Sequence, residues 1–359
     1  MEFSKKIKIL HVIPSLDTGG AERLLLDICK TIDSSIFELV VVCFKRGGLW
    51  EKEISAHAKL IVIKRSSRFN FFSILKLRNT IIKEKPDIVH THLGGDIYGR
   101  WFAGRLHIPV VSTEHNINQD ESSLVTLAKR LTIKYAQKII AVSGAVGHDI
   151  VNRYKISSKK IIVIHNGIDI SRFVYAAPQF KTPIKIGSIG RLVEQKDFKT
   201  LIEACSLLKT KDFSLQIAGQ GNLKGELEAQ IKNLKLEDSI KLIGQEENVA
   251  DFLQSLDIFV LPSRWEGLGI AILEAGAAGP AVIASNVDGI KEIILDKDNG
   301  LLFSAGDVHA LAANIQNLID NPSYAQELSL AMQRTVVDKF TIQTMVSRYE
   351  DVYKQIRNV

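Results

Sequence analysis

Residues 173–190 read FVYAAPQFKTPIKIGSIG, a loop carrying Pro178 and Pro183 that ends in a short β-branched run. Proline lacks an amide donor and punctuates regular structure. The stretch around 171–183 therefore reads as a linker, and IKIGSIG as the first strand of something new. Working back toward the N-terminus, apolar runs alternate with helical spacing: IKILHVI, the helical AERLLLDICKTI, then FELVVVCF, AKLIVIK, DIVHTH, IPVVSTEH, KIIAVS and KIIVIHNG. Working forward, SLQIAGQG, IKLIGQ, IFVLPS, AVIAS and GLLFS repeat the rhythm. Short continuous apolar strands separated by helices predict parallel sheets covered on both faces. The reading is α/β, with two Rossmann-like doubly wound domains at 1–172 and 173–341. A chain of 359 residues, 46% hydrophobic, can bury two such cores. Ligands in these folds bind beyond the carboxyl ends of strands, so the cleft between the domains is the expected site.

Composition narrows the class. Ala275–Val287, the longest weakly polar stretch, falls short of the ~20 apolar residues of a membrane span. The opening MEFSKKIKILHVIPSL has the charge order of a signal peptide but runs straight into a glycine turn and an amphipathic helix, so it reads as a strand. Cys29, Cys43 and Cys205 are widely spaced and suggest neither a disulfide nor a zinc site; a reducing cytoplasm fits. Residues 1–175 hold 27 Lys and Arg against 16 Asp and Glu, and the remainder 19 against 24. The basic first half can face nucleic acid, anionic lipid or a phosphorylated substrate.

Several segments carry chemistry, each with a plainer reading beside it. Gly19-Gly20 lies where the first strand gives way to the first helix, either as an ordinary tight turn or as backbone that lets a phosphate or sugar approach. Arg191 and Lys196 follow the strand that opens the second domain, where two cations neutralise a pyrophosphate or stand solvated. In PSRWEGLGIAILEAGAAG (262–279), Glu266 precedes a helix and Glu274 lies about one turn inside it. The amides of Gly269 and Ile270 would then head that helix and favour negative charge. Glu274 sits between IAIL and AGAAG, apolar surroundings in which an unpaired carboxylate is costly.

The sequence resembles the retaining glycosyltransferases of family four, with their two-domain GT-B fold and paired glutamates with seven residues between them. The likeness spans nearly the whole chain through GGAER, STEHN, HNGID, GRLVEQKD, DIFVLPS, EGLGIAILEA and NGLLF, in order. It implies that Arg191 and Lys196 bind the donor diphosphate and Glu274 the ribose. It assigns Glu266 to the hydroxyls of the transferred sugar, backbone near Val249 to the base, and Gly267, Leu268, Gly269 and Ile270 to the donor. His115 would touch the donor sugar near the reacting carbon, and a helix at about 342–359 would pack back on the first domain. Retention would follow from acceptor attack on the leaving-group face, with the departing phosphate taking the proton. Two departures stand out: Gly279-Pro280-Ala281-Val282 moves a proline by one position, and Asp288-Gly289 replaces a common glycine pair. They bear on donor-loop detail.

Other signals weigh less. Gly219-Gln220-Gly221 with Gly225 mimics a dinucleotide fingerprint at the wrong spacing. Asp296-Lys297-Asp298 reads as a surface turn. His90 and His92 share a strand face, but no third histidine is evident at ligand spacing, so no required metal and no cofactor are expected. Residues 64–85 hold seven basic residues and one acid, with Lys64, Arg65, Arg68, Phe71, Lys76 and Arg78 as candidates for an anionic membrane surface. Lys129, Arg130, Lys134 and Lys138 would extend that patch. No nucleic-acid module is found. The expected activity is transfer of a hexose or N-acetylhexosamine from a nucleotide sugar, UDP favoured over GDP-mannose, to a saccharide or lipid-linked saccharide, at the inner face of the cytoplasmic membrane. The rivals are a sugar-nucleotide epimerase of the same fold and a catalytically silent binding subunit.

Overall fold

The computed structural model describes residues 6–17, 19–45, 48–63, 71–116, 121–210 and 212–358. The chain divides into two compact units, 1–166 with 342–359, and 167–341, so the crossing falls at Asn166/Gly167 rather than at 172/173.

In the first unit, β1 (Ile7–Ile13), β2 (Phe37–Cys43), β3 (Lys59–Val62), β4 (Ile88–His92), β5 (Val110–Glu114), β6 (Lys138–Ala141) and β7 (Ile161–Val163) form one parallel sheet in the order β3-β2-β1-β4-β5-β6-β7. Ile9, Ile13 and Val111 pack on one face under the helices Gly20–Thr31 and Ile342–Arg357. Leu10, Val12 and Val110 pack on the other with Leu77, Ile81 and Phe102. The final helix buries Ile342, Met345, Val346, Tyr349, Val352 and Tyr353, an apolar stripe at helical spacing that anchors it to the first unit.

The second unit is a parallel sheet of β8 (Ile184–Ile189), β9 (Phe213–Ala218), β10 (Ile240–Gly244), β11 (Ile258–Leu261), β12 (Ala281–Ser285) and β13 (Leu301–Phe303), ordered β10-β9-β8-β11-β12-β13. The apolar helix Ile270–Ala278 is buried because its small residues admit a neighbour: a Cβ on Gly276 would lie 2.6 Å from Met332 Cγ on the helix Pro322–Lys339. Thus each run of apolar residues quoted above forms a strand. In each sheet the winding direction reverses once, between β1 and β4 and between β8 and β11, and functional loops are expected beyond those strand ends. No helix among the described residues is long and apolar enough to cross a membrane.

Candidate functional site

The loops leaving β8 and β11 flank the reversal point of the second sheet and are stitched together. Arg264 N donates to Gln195 O at 2.8 Å, and Gln195 Nε2 donates to Trp265 O at 2.9 Å. Arg264 Nε lies 3.2 Å from the buried Asp197 Oδ2, and Asp197, at φ 47°, turns the chain into the helix Phe198–Ser206. Within this frame Lys196 Nζ donates to Glu266 Oε1 at 2.5 Å, and Ser263 Oγ donates to the same oxygen at 2.6 Å. Glu266 is only 8% exposed. The structure therefore brings together two residues, 70 apart in sequence, that sequence analysis gave separate tasks. Arg191 is exposed on the rim of a pocket of about 260 Å³ lined also by Gly190, Gly219, Gln220, Gln245 and Glu246.

That pocket depends on glycine. A Cβ on Gly219, which holds φ +148°, would lie 1.9 Å from Gly190 O, and one on Gly221 would lie 2.2 Å from Leu192 O. Gly219 and Gly221 let the β9 loop press against the β8 loop, and Gly219, Gln220, Gln245 and Glu246 line the pocket beside Arg191, a grouping not foreseen from the sequence. The signal was present as glycines at a strand's carboxyl end, but it was weighed as a dinucleotide fingerprint. Gly289 behaves alike, since a Cβ there would sit 2.5 Å from Glu266 O and 2.6 Å from Gly267 O. Gly269, at φ 88°, caps the helix Ile270–Ala278, on which Glu274 is half-buried, and the amides of Ile270 and Ala271 begin that helix. Leu268 is buried in the core beneath this turn. Val249 opens the short helix Val249–Gln254 beyond β10, capped by Asn248. Asp296-Lys297-Asp298 is a turn, with Leu302 N donating to Asp296 Oδ1 at 2.8 Å.

In the first unit the exposed Gly19 and Gly20 stand at the N-terminus of the helix Gly20–Thr31, beyond β1. A third histidine does join His90 and His92, because His11 on β1 lies directly across from His90 on β4. His11 Nδ1 is 3.1 Å from His92 Nε2, and His92 Nδ1 is 3.4 Å from Nε2 of His115, which follows β5. His90 bonds Tyr353 OH at 2.7 Å and Thr113 Oγ1 at 2.8 Å. Burial pushes His115 down to about 4, partly opposed by Glu114, and His11 down to about 3. Burial and the neighbouring rings hold His90 and His92 well below the usual histidine range.

The opposite face of the sheet carries a second buried polar cluster. Arg100 Nη1 lies 3.4 Å from Glu114 Oε1, and Lys129 Nζ lies 3.7 Å from Glu114 Oε2 and 2.7 Å from Glu121 Oε1. Burial works against the Lys129 ammonium, but Glu114 and Asp96 outweigh it and raise its pKa above the ordinary lysine value. Lys129 is thus buried and ion-paired, which removes it from the basic surface patch proposed from sequence. Arg130 and Lys134 are exposed and Lys138 is half-buried. Lys76 and Arg78 are exposed on the helix Phe71–Glu84, whereas Lys64, Arg65 and Arg68 lie outside the described residues, as does the side chain of Phe71.

Two family models account for most of the chain: "Glycosyltransferase Family 4" matches residues 18–172 and "Glycosyl transferases group 1" matches residues 172–334. A UDP-Gal:alpha-D-GlcNAc-diphosphoundecaprenol alpha-1,3-galactosyltransferase of Escherichia coli is 26% identical, covering 97% of each chain. The lipopolysaccharide core biosynthesis glycosyltransferase LpsE of Rhizobium meliloti is 25% identical over 96% of this chain and 98% of its own. Among solved structures, Anabaena HepE in complex with UDP superposes with a TM-score of 0.87 at 21% identity, over 97% of this chain and 100% of that one.

Proposed function

The chain belongs to the family 4, group 1 glycosyltransferases, and from that premise we propose that it moves a hexose or N-acetylhexosamine from a UDP-sugar to a saccharide or lipid-linked saccharide acceptor in polysaccharide or glycan assembly. The observation that carries this reading is the braced Lys196–Glu266 pair at the reversal point of the second sheet, beside Arg191 and its pocket. Breaking the bond between the anomeric carbon and the diphosphate leaves positive character on the sugar and negative charge on the leaving group. Lys196, Arg191 and the amides at Ile270 supply positive potential for the diphosphate. Glu266, already fixed by Ser263 and Lys196, offers its other oxygen to sugar hydroxyls. Glu274 takes the ribose, backbone near Val249 takes the base, and His115 contacts the sugar. No protein nucleophile is assigned, which fits retention by front-face attack. The UDP preference draws support from one relative whose name carries UDP-Gal and from the neighbour holding UDP.

The test is nucleotide release by the purified protein from UDP-, GDP- and ADP-sugars, with and without an undecaprenyl-diphosphate-linked saccharide. Release of UDP stimulated by that acceptor and indifferent to EDTA is the expected result. Conversion of the donor to an epimer, or binding without turnover, would replace this reading.

An anionic membrane surface is proposed as the second partner. The helix Ser123–Thr132 leaves Leu124, Leu127 and Leu131 exposed at 81%, 52% and 58%, with Arg130 and Lys134 exposed alongside. Leu131 and Lys134 also line an apolar pocket of about 350 Å³ with Trp101 and Tyr98. Burying one leucine is worth about 1.5–3 kcal/mol, and each lysine or arginine near anionic lipid about 1 kcal/mol. The double substitution Leu127→Glu/Leu131→Glu is expected to weaken binding to phosphatidylglycerol vesicles by roughly tenfold or more. Turnover of a water-soluble acceptor should be unchanged. Equal vesicle binding by both proteins would remove this helix from the membrane surface.

A further inference from the structure

Three of the four linked histidines have no assigned task. His11, His92 and His115 form a linear chain, His11 Nδ1···Nε2 His92 Nδ1···Nε2 His115, with steps of 3.1 and 3.4 Å. Its end atoms, His11 Nε2 and His115 Nδ1, are buried and have no hydrogen-bond partner among the described residues. Burial keeps the three rings neutral, so each has one N–H and one lone pair.

Two consecutive links between such rings admit only two proton arrangements. Either all three protons lie on Nδ1, and His115 offers an N–H at its outer end, or all three lie on Nε2, and His115 offers a lone pair. The far end separates them. Each arrangement leaves one end N–H without an acceptor in the chain itself, on His11 Nε2 or on His115 Nδ1, but only the His115 end meets a proposed ligand: a sugar-nucleotide oxygen there satisfies the all-Nδ1 form, whereas the all-Nε2 form keeps an orphan N–H on His11 whatever binds. Folded proteins leave acceptors under-satisfied more readily than donors. We propose that His92 and His11 are positioning residues that hold His115 in its Nδ1–H form, so that it donates a hydrogen bond to an oxygen of the sugar nucleotide. The coupling of the three tautomers stands on the chain's geometry, while the choice of the Nδ1–H form rests on the proposed donor role of His115.

His90 stands beside the chain and outside it, since both its nitrogens are engaged by Tyr353 and Thr113. His11, His90 and His92 do bring one nitrogen each within 4.8 Å of the others, a spacing open to a metal ion. The engagement of His90 and the direct link between His11 and His92 favour the hydrogen-bonded chain.

Nitrogen-15 NMR of histidine-labelled wild-type protein saturated with a UDP-sugar, without acceptor, reads each tautomer directly. The expected result is three neutral rings, His11, His92 and His115, all protonated on Nδ1. A mixed set, an all-Nε2 set, an imidazolium at neutral pH, or a stoichiometric transition metal on these rings would overturn the assignment. This readout needs no activity, so its failure is separable from failure of the proposed function. For the positioning role, His92→Gln keeps a donor and an acceptor between the same neighbours and is expected to retain most of kcat. His92→Leu, which has neither, is expected to lose about tenfold with little change in KM for the donor. Equal losses in the two variants would reduce His92 to a packing residue.

Discussion

Lys196→Ala is expected to lower turnover of the nucleotide sugar by about 10²–10³-fold, the usual consequence of removing one charge-stabilising donor from a transition state. Two effects are mixed in that substitution. The departing diphosphate loses a cation, and Glu266, 8% exposed, keeps Ser263 as its one remaining hydrogen-bond donor of the pair that now holds it. The second effect belongs to stability, because a nearly buried carboxylate stripped of its counter-charge is costly. Adding Glu266→Asn in the Lys196→Ala background removes that charge and should recover melting temperature. It should not recover turnover. Lys196→Arg keeps the charge in a different geometry and should fall between wild type and alanine. If Lys196→Ala turned over within a few-fold of wild type, or if the second substitution restored the rate, the lysine would be a structural partner of Glu266 rather than a ligand of the diphosphate.

The strands were legible because parallel strands buried on both faces read as continuous β-branched runs, and 173–183 interrupts them in the middle of the chain. The Glu266–Glu274 spacing likewise pointed to a loop carboxylate ahead of a helix and another one turn inside it. What was illegible is pairing at long range. Lys129 looked like one more cation on a basic helix, because sequence displays its charge but not Glu114 and Glu121, which bury it. His11 lay within a strand with no mark of interest. Only the parallel register of β1 against β4 sets it opposite His90, and only then does the His90-Thr91-His92 pair gain a third member. Gly219 and Gly221 were visible as glycines, yet their purpose depends on where the β8 loop lies.

The buried His11, His90 and His92 and the half-buried His115 also make the first unit sensitive to acid. His11 and His115 titrate in the folded protein at about 3 and about 4, and His90 and His92 well below 6.5, the value all four approach in the unfolded chain. Between the folded and unfolded values the unfolded chain binds more protons, so stability rises with pH up to about 6.5 and is lost on acidification below it. Asp96 acts in the opposite sense. Burial, and then Glu114, raise its carboxyl above 3.8, so across that interval the folded state holds the extra proton and acid favours folding. Glu22, whose carboxyl burial also raises, acts with Asp96 to a smaller degree against the four histidines. From pH 6.5 to 5.5 each histidine contributes a loss of about 1 kcal/mol, leaving a net loss on the order of 3 kcal/mol. For a unit of this size that corresponds to a fall of roughly 6–12 °C in Tm. The second unit contains no such cluster among its described residues, so calorimetry should show the first unit's transition moving down between pH 6.5 and 5.5 while the other moves less. His11→Gln removes one titrating ring and should flatten the slope by about a third of its net value. A transition temperature constant between pH 7 and 5 would mean that these rings are protonated alike in both states, and that water or charge reaches them in the folded chain.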